Sequence, residues 1–454
     1  MHGLLPSLRP FRRKIAYILF GLTALAFTVQ VTRVYKTSIP PGGHGTMDSV
    51  AIWVAPDPNE SILFITDKTM DFLEMHDPVT NTYIGRIGGS GSGGGKLDYP
   101  NGVAVAYNVD TGLGKRDLVF AVERDNNRVS AWALPEKQFV GSFGSSDLDE
   151  PYGIAIRYVD GKVETWITNT GKRPNRVFIY EISAQGSGIA GTLKRSFATE
   201  GSLESIVIDE YHQKAYICDE GDNNNIMVYS LDGTFQERIG QGLFVADPEG
   251  IVIYDMGNGE GWIICSDQNA DPTEFEVFER GTHTYLGNFT GNKTYGTDGL
   301  TLTQQALPNF PSGVFLPVHS DREVHAYDWK EIAQVMNLGI NVLSDPPTSV
   351  QGLKDVPGEF QLMPAWPNPF VPRRATGTQI KVVLPARAQI DAYVYNILGQ
   401  RIASLAQNRS LAPGEHILKW SGRDDSGQIV PAGVYFLQLK SGADVRVIKI
   451  FVAR

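Results

Sequence analysis

The chain has 454 residues, too many for one ordinary domain. Its 48 glycines and 26 prolines suit many short strands and turns rather than long helices. A formal charge of −10 speaks against a nucleic-acid partner and leaves room for a cationic ligand such as a divalent metal.

Residues 1–31 read as an export segment outside the fold. Arg9, Arg12, Arg13 and Lys14 precede an apolar run from Ile15 to Val29, and Ala24-Leu-Ala26 offers a small-residue cleavage site. In length the run falls between a signal peptide and a membrane span, so a cleaved signal and a retained anchor both stay open. Residues 32–46 read as a loose leader.

Over residues 47–335 one phrase recurs six times. It begins at Asp48, Pro100, Pro151, Leu203, Pro248 and Thr297, and each copy runs into a short apolar strand. The third residues stand at 50, 102, 153, 205, 250 and 299, with steps of 45 to 52. That period is one four-stranded sheet per repeat, arranged as blades about an axis. The fold class is therefore all-β, a six-bladed β-propeller. Alternation at period two, as from Arg176 to Ile182, and turn pairs such as Asp160-Gly161 and Asp232-Gly233 agree with it.

The loop from Gly88 to Gly95 lacks the Lys-Ser/Thr pair and following helix of a phosphate loop, and reads as a flexible connection. Cys218 and Cys265 fall in corresponding strands of adjacent blades. Two buried core thiols are the simpler reading; a disulfide is the alternative in an exported protein. A helix-like segment follows Asp328, and residues 336–365 form a linker. The remaining residues, 366–454, show five alternating strands and predict a small Ig-like β-sandwich.

In a propeller, equivalent residues of all blades meet at one place. The second residues of the phrases are Ser49, Asn101, Tyr152, Glu204, Glu249 and Asp298, a ring rich in oxygen. Asp48 and Asp247 add carboxylates beside it, and Glu220 and Gln268 extend it one strand later. Oxygen donors without His or Cys suit calcium better than zinc or copper. Lys68, Arg124 and Lys172 follow the second strands of the first three blades at 18, 22 and 19 positions from the third phrase residues. They are placed to grip phosphate oxygens while metals neutralise the rest. Taken singly, acids and amides ahead of a strand are common turn residues, and each position has that plain structural reading.

At these residues the chain resembles the calcium-dependent β-propeller phytases. The likeness runs from Asp48 to Ala333 and includes Thr66-Asp-Lys68, Pro151-Tyr-Gly, Thr170-Gly-Lys172, Ala215-Tyr-Ile-Cys-Asp-Glu220, Asp247-Pro-Glu-Gly, Ser266-Asp-Gln268 and Thr297-Asp-Gly. It implies calcium roles for Asp48, Glu204, Glu220, Asp247, Glu249, Gln268 and Asp298. It implies phosphate-binding, catalytic roles for Lys68, Arg124, Tyr152 and Lys172. The implied reaction is that of a 3-phytase, hydrolysis of inositol hexakisphosphate by a metal-activated water. Against that pattern, Ser49 stands where a second carboxylate is expected, Arg173 where an acid is usual, Ser205 in place of glycine, and Asn292 in place of aspartate.

The C-terminal unit resembles the sorting domain of type IX secretion and the related FlgD Ig-like domain. The carrying motifs are Trp366-Pro-Asn-Pro-Phe, Tyr395-Asn-Ile-Leu-Gly-Gln, Trp420-Ser-Gly-Arg-Asp-Asp-Ser-Gly and Pro431-Ala-Gly-Val-Tyr. The expectation is a secreted or cell-surface, monomeric, calcium-dependent phosphomonoesterase with phytate as substrate and the secretion machinery as partner. The alternative is a non-catalytic surface propeller that binds a glycan, a protein or a phosphorylated ligand.

Overall fold

The computed structural model describes residues 28–171, 174–221, 224–268, 272–344, 360–372, 377–384, 388–411, 414–442 and 444–453. The export segment expected over 1–31 lies almost wholly outside them. Residues 29–36 do not. They form β1 (Val29–Val31) and β2 (Arg33–Lys36).

Blade 1 is β3 (Met47–Trp53), β4 (Ile62–Asp67), β5 (Phe72–His76) and β6 (Tyr83–Gly88). Blade 2 is β7 (Pro100–Asp110), β8 (Lys115–Glu123), β9 (Arg128–Leu134) and β10 (Gln138–Phe143). Blade 3 is β11 (Pro151–Val159), β12 (Lys162–Asn169), β13 (Arg176–Gln185) and β14 (Gly188–Ala198). Blade 4 is β15 (Leu203–Asp209), β16 (Lys214–Asp219), β17 (Asn225–Ser230) and β18 (Phe235–Ile239). Blade 5 is β19 (Pro248–Gly257), β20 (Glu260–Asp267), β21 (Glu274–Glu279) and β22 (Tyr285–Gly291). Blade 6 has β23 (Leu300–Thr303), β24 (Val314–His319) and β25 (Glu323–Asp328) from its own repeat.

The fourth strand of blade 6 is β2, so the sheet runs β2-β25-β24-β23. The loose leader expected over 32–46 is corrected here: its first part closes the ring of blades. The physical reason is the open edge of β25, whose polar backbone needs a partner. Thr37 N–H donates to Val324 O at 2.9 Å, and Lys36 pairs with Glu323 at 2.8 Å. β1 runs parallel to β22 and buries Val31 completely. Asn292 serves this closure: its Oδ1 accepts Arg33 N–H and its own N–H donates to Val31 O, both at 2.9 Å. α1 (Trp329–Val335), capped by the Asp328 side chain on Lys330 N–H, stacks Trp329 on Tyr254 at 3.9 Å.

The propeller core is six layers, each between two neighbouring blades. This changes the meaning of the alternation in the sequence. In β16, Ala215 and Ile217 face blade 3, while Tyr216 and Cys218 face blade 5. Successive residues choose between two apolar neighbours, not between core and water, so the middle strands read as continuous apolar runs. Each large side chain buried this way stabilises by about 1.5–3 kcal/mol. Cys218 and Cys265 are fully buried free thiols, Sγ to Sγ 3.6 Å, in the layer between blades 4 and 5.

The glycines of the phrase hold the axis together. A Cβ on Gly102 would lie 2.5 Å from Tyr152 O, on Gly153 2.6 Å from Glu204 O, and on Gly299 2.4 Å from Asp48 O. Each glycine therefore admits the backbone of the next blade. Gly299→Ala is expected to cost about 1–3 kcal/mol through this overpacking. A thermal melt equal to that of the parent chain would contradict the close approach.

The C-terminal unit has two sheets, a three-stranded one and a four-stranded one. The first joins β26 (Gln361–Leu362), β27 (Thr378–Leu384) and β30 (Gly414–Trp420); the second joins β29 (Arg401–Leu411), β28 (Ala388–Asn396), β31 (Gly433–Ser441) and β32 (Asp444–Val452). Phe360 and Ala365 belong to its core, so the unit begins before the expected boundary at 366. The start of the expected linker is also anchored, since Leu343 N–H donates to Gln304 O at 3.0 Å.

Candidate functional site at the mouth of the propeller

The site is made by a repeated defect. In five blades the ladder between the first two strands slips at the phrase, between Met47 and Val50, Pro100 and Val103, Pro151 and Ile154, Leu203 and Ile206, and Pro248 and Ile251. Two residues per blade leave the pairing, and such bulges re-aim side chains. Their freed N–H groups find hydroxyls on the second strand: Ser49 on Thr66, Gly153 on Thr168, Gly250 on Ser266, at 2.7–2.9 Å. The next residue of that strand, or its equivalent Asp219 in blade 4, caps the loops beside it. Asp67 accepts from Gly45 and Met70, Asn169 from Asp149, Asp219 from Ser202 and Gly221, and Asp267 from Val245 and Ala246. The hydroxyl–Asx pair is thus a structural clamp on both sides of the mouth.

This register corrects one sequence expectation. Ser49 occupies the position of the phrase glycines, and Asp48 that of Asn101, Tyr152, Glu204 and Glu249. The ring is therefore Asp48, Asn101, Tyr152, Glu204, Glu249 and Asp298. Ser49 takes no carboxylate from it.

Asp48 is buried, with Oδ1 2.7 Å from Lys68 Nζ. The Tyr152 phenol reaches across the mouth and donates to the same oxygen at 3.3 Å, and Lys68 Nζ donates to the phenol at 3.4 Å. Burial lifts the Asp48 carboxyl above its ordinary range, with Lys68 pulling the other way. Burial also works against the Lys68 ammonium, but Asp48 overrides it and keeps it charged. Burial and four surrounding carboxylates, Asp48, Glu204, Glu249 and Asp298, hold the Tyr152 phenol protonated.

Glu204 and Glu249 are both buried, and their carboxyl groups lie close together. Two carboxyl groups meet that way only by sharing a proton or a cation. Burial first, then mutual repulsion and the nearby Glu220, pushes Glu204 well up; burial and Asp298 do the same to Glu249. Asp298 is pushed up to about 8 by burial, Asp48 and a shared hydrogen bond with Asp321. Gln268 Nε2 donates to Asp298 Oδ1. Glu220 is exposed and accepts from Ser202 Oγ at 3.0 Å.

The remaining expected residues lie farther from this centre. Asp247 is half-buried; its carbonyl accepts Gln268 N–H at 3.0 Å and its charge bears on Asp267. Arg124 does not join Asp48 and Tyr152: its guanidinium stacks 3.6 Å over the Tyr99 ring and pairs with Asp125 at 2.8 Å. That tether holds a half-buried cation on the rim. Lys172 and Arg173 lie outside the described residues. Two members of the site carry no signal in the repeat. Asp321 sits in the β24–β25 turn at positive φ, and its carbonyl accepts Met47 N–H at 2.8 Å. Tyr99 immediately precedes its phrase, where a turn residue is the ordinary reading.

The mouth fits a hard cation. Asp48 Oδ2, Glu204 Oε2 and both amide atoms of the fully buried Asn101 are buried without a hydrogen-bond partner. Unpaired buried oxygens are costly, and a cation among them removes the cost.

A six-bladed propeller whose mouth gathers carboxylates around a lysine and a tyrosine defines a class of metal-dependent or anion-binding proteins. The profile of the family described as Phytase matches residues 26–325, from the closing strands to β25. The chain belongs to that family. The 3-phytase of Bacillus subtilis (strain 168) is 25% identical over 334 residues, 67% of this chain and 85% of that enzyme. Among solved structures, one from a study titled as probing PorZ, a surface component of the type-IX secretion system of Porphyromonas gingivalis, aligns over 89% of this chain with a TM-score of 0.36 and 13% identity. The alignment covers 51% of that longer chain. Kuenenia stuttgartiensis hydrazine synthase aligns over 67% of this chain and 82% of its own, with a TM-score of 0.43 and 15% identity. Neither structure bears on function.

Proposed function

We propose that the chain is a calcium-dependent phosphomonoesterase acting on phytate-type substrates. Family membership supports a phosphate ester as substrate. The observation that carries calcium is the set of unpartnered oxygens on Asp48, Asn101 and Glu204 in a mouth with no thiol or imidazole among its ring members.

Asp48, Glu204, Glu249 and Asp298 would hold the ions, with Glu220, Asp247, Gln268 and Asn101 in support. Bound calcium supplies charge neutralisation at the phosphoryl oxygens and acidifies a water for attack. Lys68 presents an ammonium kept charged by Asp48, aimed at a phosphate oxygen from within the mouth. Tyr152 stays protonated and offers an O–H donor across it. Arg124, steadied over Tyr99, meets a phosphate at the rim. These donors stabilise charge that grows on the phosphoryl oxygens in the transition state.

We infer that the C-terminal sandwich directs export or surface attachment, on the strength of the four motifs named above; the exported, monomeric state belongs to the same proposal. Phosphate release from calcium-phytate by the purified chain tests the main reading. Release that a chelator abolishes is expected. No release by folded, calcium-loaded protein would leave a non-catalytic propeller that binds phosphorylated or other ligands.

A further inference from the structure

Blade 5 carries a second cluster of acids away from the axis. Asp267 ends β20; Glu274 and Glu276 lie on β21. One oxygen from each stands within 4.8 Å of the others. Oxygens on a single calcium ion are at most about 5 Å apart, given metal–oxygen distances of about 2.3–2.6 Å.

Asn288 on β22 points into the cluster: its Nδ2 donates to Glu274 Oε2 and Glu276 Oε1, both at 3.1 Å. Glu276 is 1% exposed and Asn288 8%. Yet Glu276 Oε2 and Asn288 Oδ1 have no hydrogen-bond partner. Cys265, paired with Glu276 in the ladder, meets Cys218, so the cluster faces blade 4.

Equivalent positions in other blades show what is missing. In blade 1, Glu74 takes the place of Glu276, and its partner across the ladder is Arg86, which pairs with it at 2.5 Å. In blade 2, Glu123 takes the place of Asp267, and its partner Arg128 pairs with it at 2.7 Å. Blade 5 has acids at these positions and, instead of the two arginines, Asn288 and Glu274. A protein cation has been replaced by oxygen donors in both places. Among the described residues no basic side chain pairs with these three acids.

We propose that Asp267, Glu274, Glu276 and Asn288 form a second site for a hard divalent cation such as calcium, holding β20, β21 and β22 of blade 5 together. The site is structural and separate from the ring. A rotation of the Asn288 amide would turn Oδ1 toward the ion.

Calcium per chain, measured by equilibrium dialysis on the full-length protein, tests it. Glu276→Gln and Asn288→Arg should each bind one ion fewer than the parent and keep chelator-sensitive phosphate release. Asn288→Arg should also melt above the parent in chelator, because it restores the pairing seen in blade 1. Glu249→Gln, which alters the ring, should keep this ion, so failure of the ring reading and of this one are told apart. Unchanged calcium content in both blade 5 variants would overturn the proposal. So would an Asn288→Arg variant that has no higher melting temperature in chelator.

Discussion

Glu249→Gln is expected to lose about 10²-fold or more of calcium-dependent kcat/KM and, at the same time, to melt higher than the parent chain in chelator at pH 8. The two effects have one cause. Glu249 lies close to Glu204 and feels Asp298, Asp48 and Glu220. Without a cation, that crowding destabilises the fold once the shared proton is lost, and a neutral amide relieves it. With substrate present, the same amide removes charge that the cation needs, and single losses of transition-state electrostatics are about 10²–10³-fold. Initial rates and thermal melts read both halves. Full activity, or a lower melting temperature in chelator, would contradict the shared-site reading. A merely structural glutamate would lose stability under both conditions.

In chelator, the melting temperature of the parent chain should fall as pH rises from 5 to 8, and saturating calcium should flatten that fall. Asp298 is pushed up to about 8, and Glu204 and Glu249 are raised as well. Unfolded carboxyls titrate near pH 4. Between those limits these groups hold more protons in the folded chain than in the unfolded one, so their contribution to stability is full below pH 4 and is lost as pH climbs through the folded pKa values. A tenfold difference in a carboxyl's proton affinity between the folded and unfolded chain is worth about 1.4 kcal/mol, enough for a few degrees. Calcium takes over from the protons, and at 100 times its Kd it adds about 2.7 kcal/mol per site. A melting temperature in chelator that rises across this range would show that the ring carboxyls are not crowded.

The blade count, the axis and the ring acids are legible in the sequence because they depend on a repeat. Six copies of one phrase place Glu204, Glu249 and Asp298 together whatever the details of each sheet. The register of blade 1 is not legible. Asp48 and Ser49 look like a phrase shifted by one residue, and only the slip between Met47 and Val50 shows Asp48 in the ring. Strands β1 and β2 are hidden because their partners, β22 and β25, lie some 260 and 290 positions away in sequence, and no local pattern signals such pairing. The expected leader is the closing strand for that reason. Arg124 matches its neighbours in spacing, but Tyr99 and Asp125 hold its guanidinium on the rim. The cluster in blade 5 has no local signature because its meaning lies in ladder partners: Asn288 is informative only beside Arg86. In the C-terminal unit, alternation reveals β27, β28, β30, β31 and β32. It misses β29, whose mixed run from Arg401 to Leu411 carries register slips against β28.

Anomalous diffraction from crystals of the full chain grown in calcium, or soaked in a lanthanide, tests the ring most directly. The expected result is density bounded by Asp48, Glu204, Glu249 and Asp298, against the oxygens that now lack partners. A mouth without an anomalous peak, in crystals that hold calcium in solution, would contradict a metal site there and turn attention to Lys68 and Arg124 as binders of an anion alone.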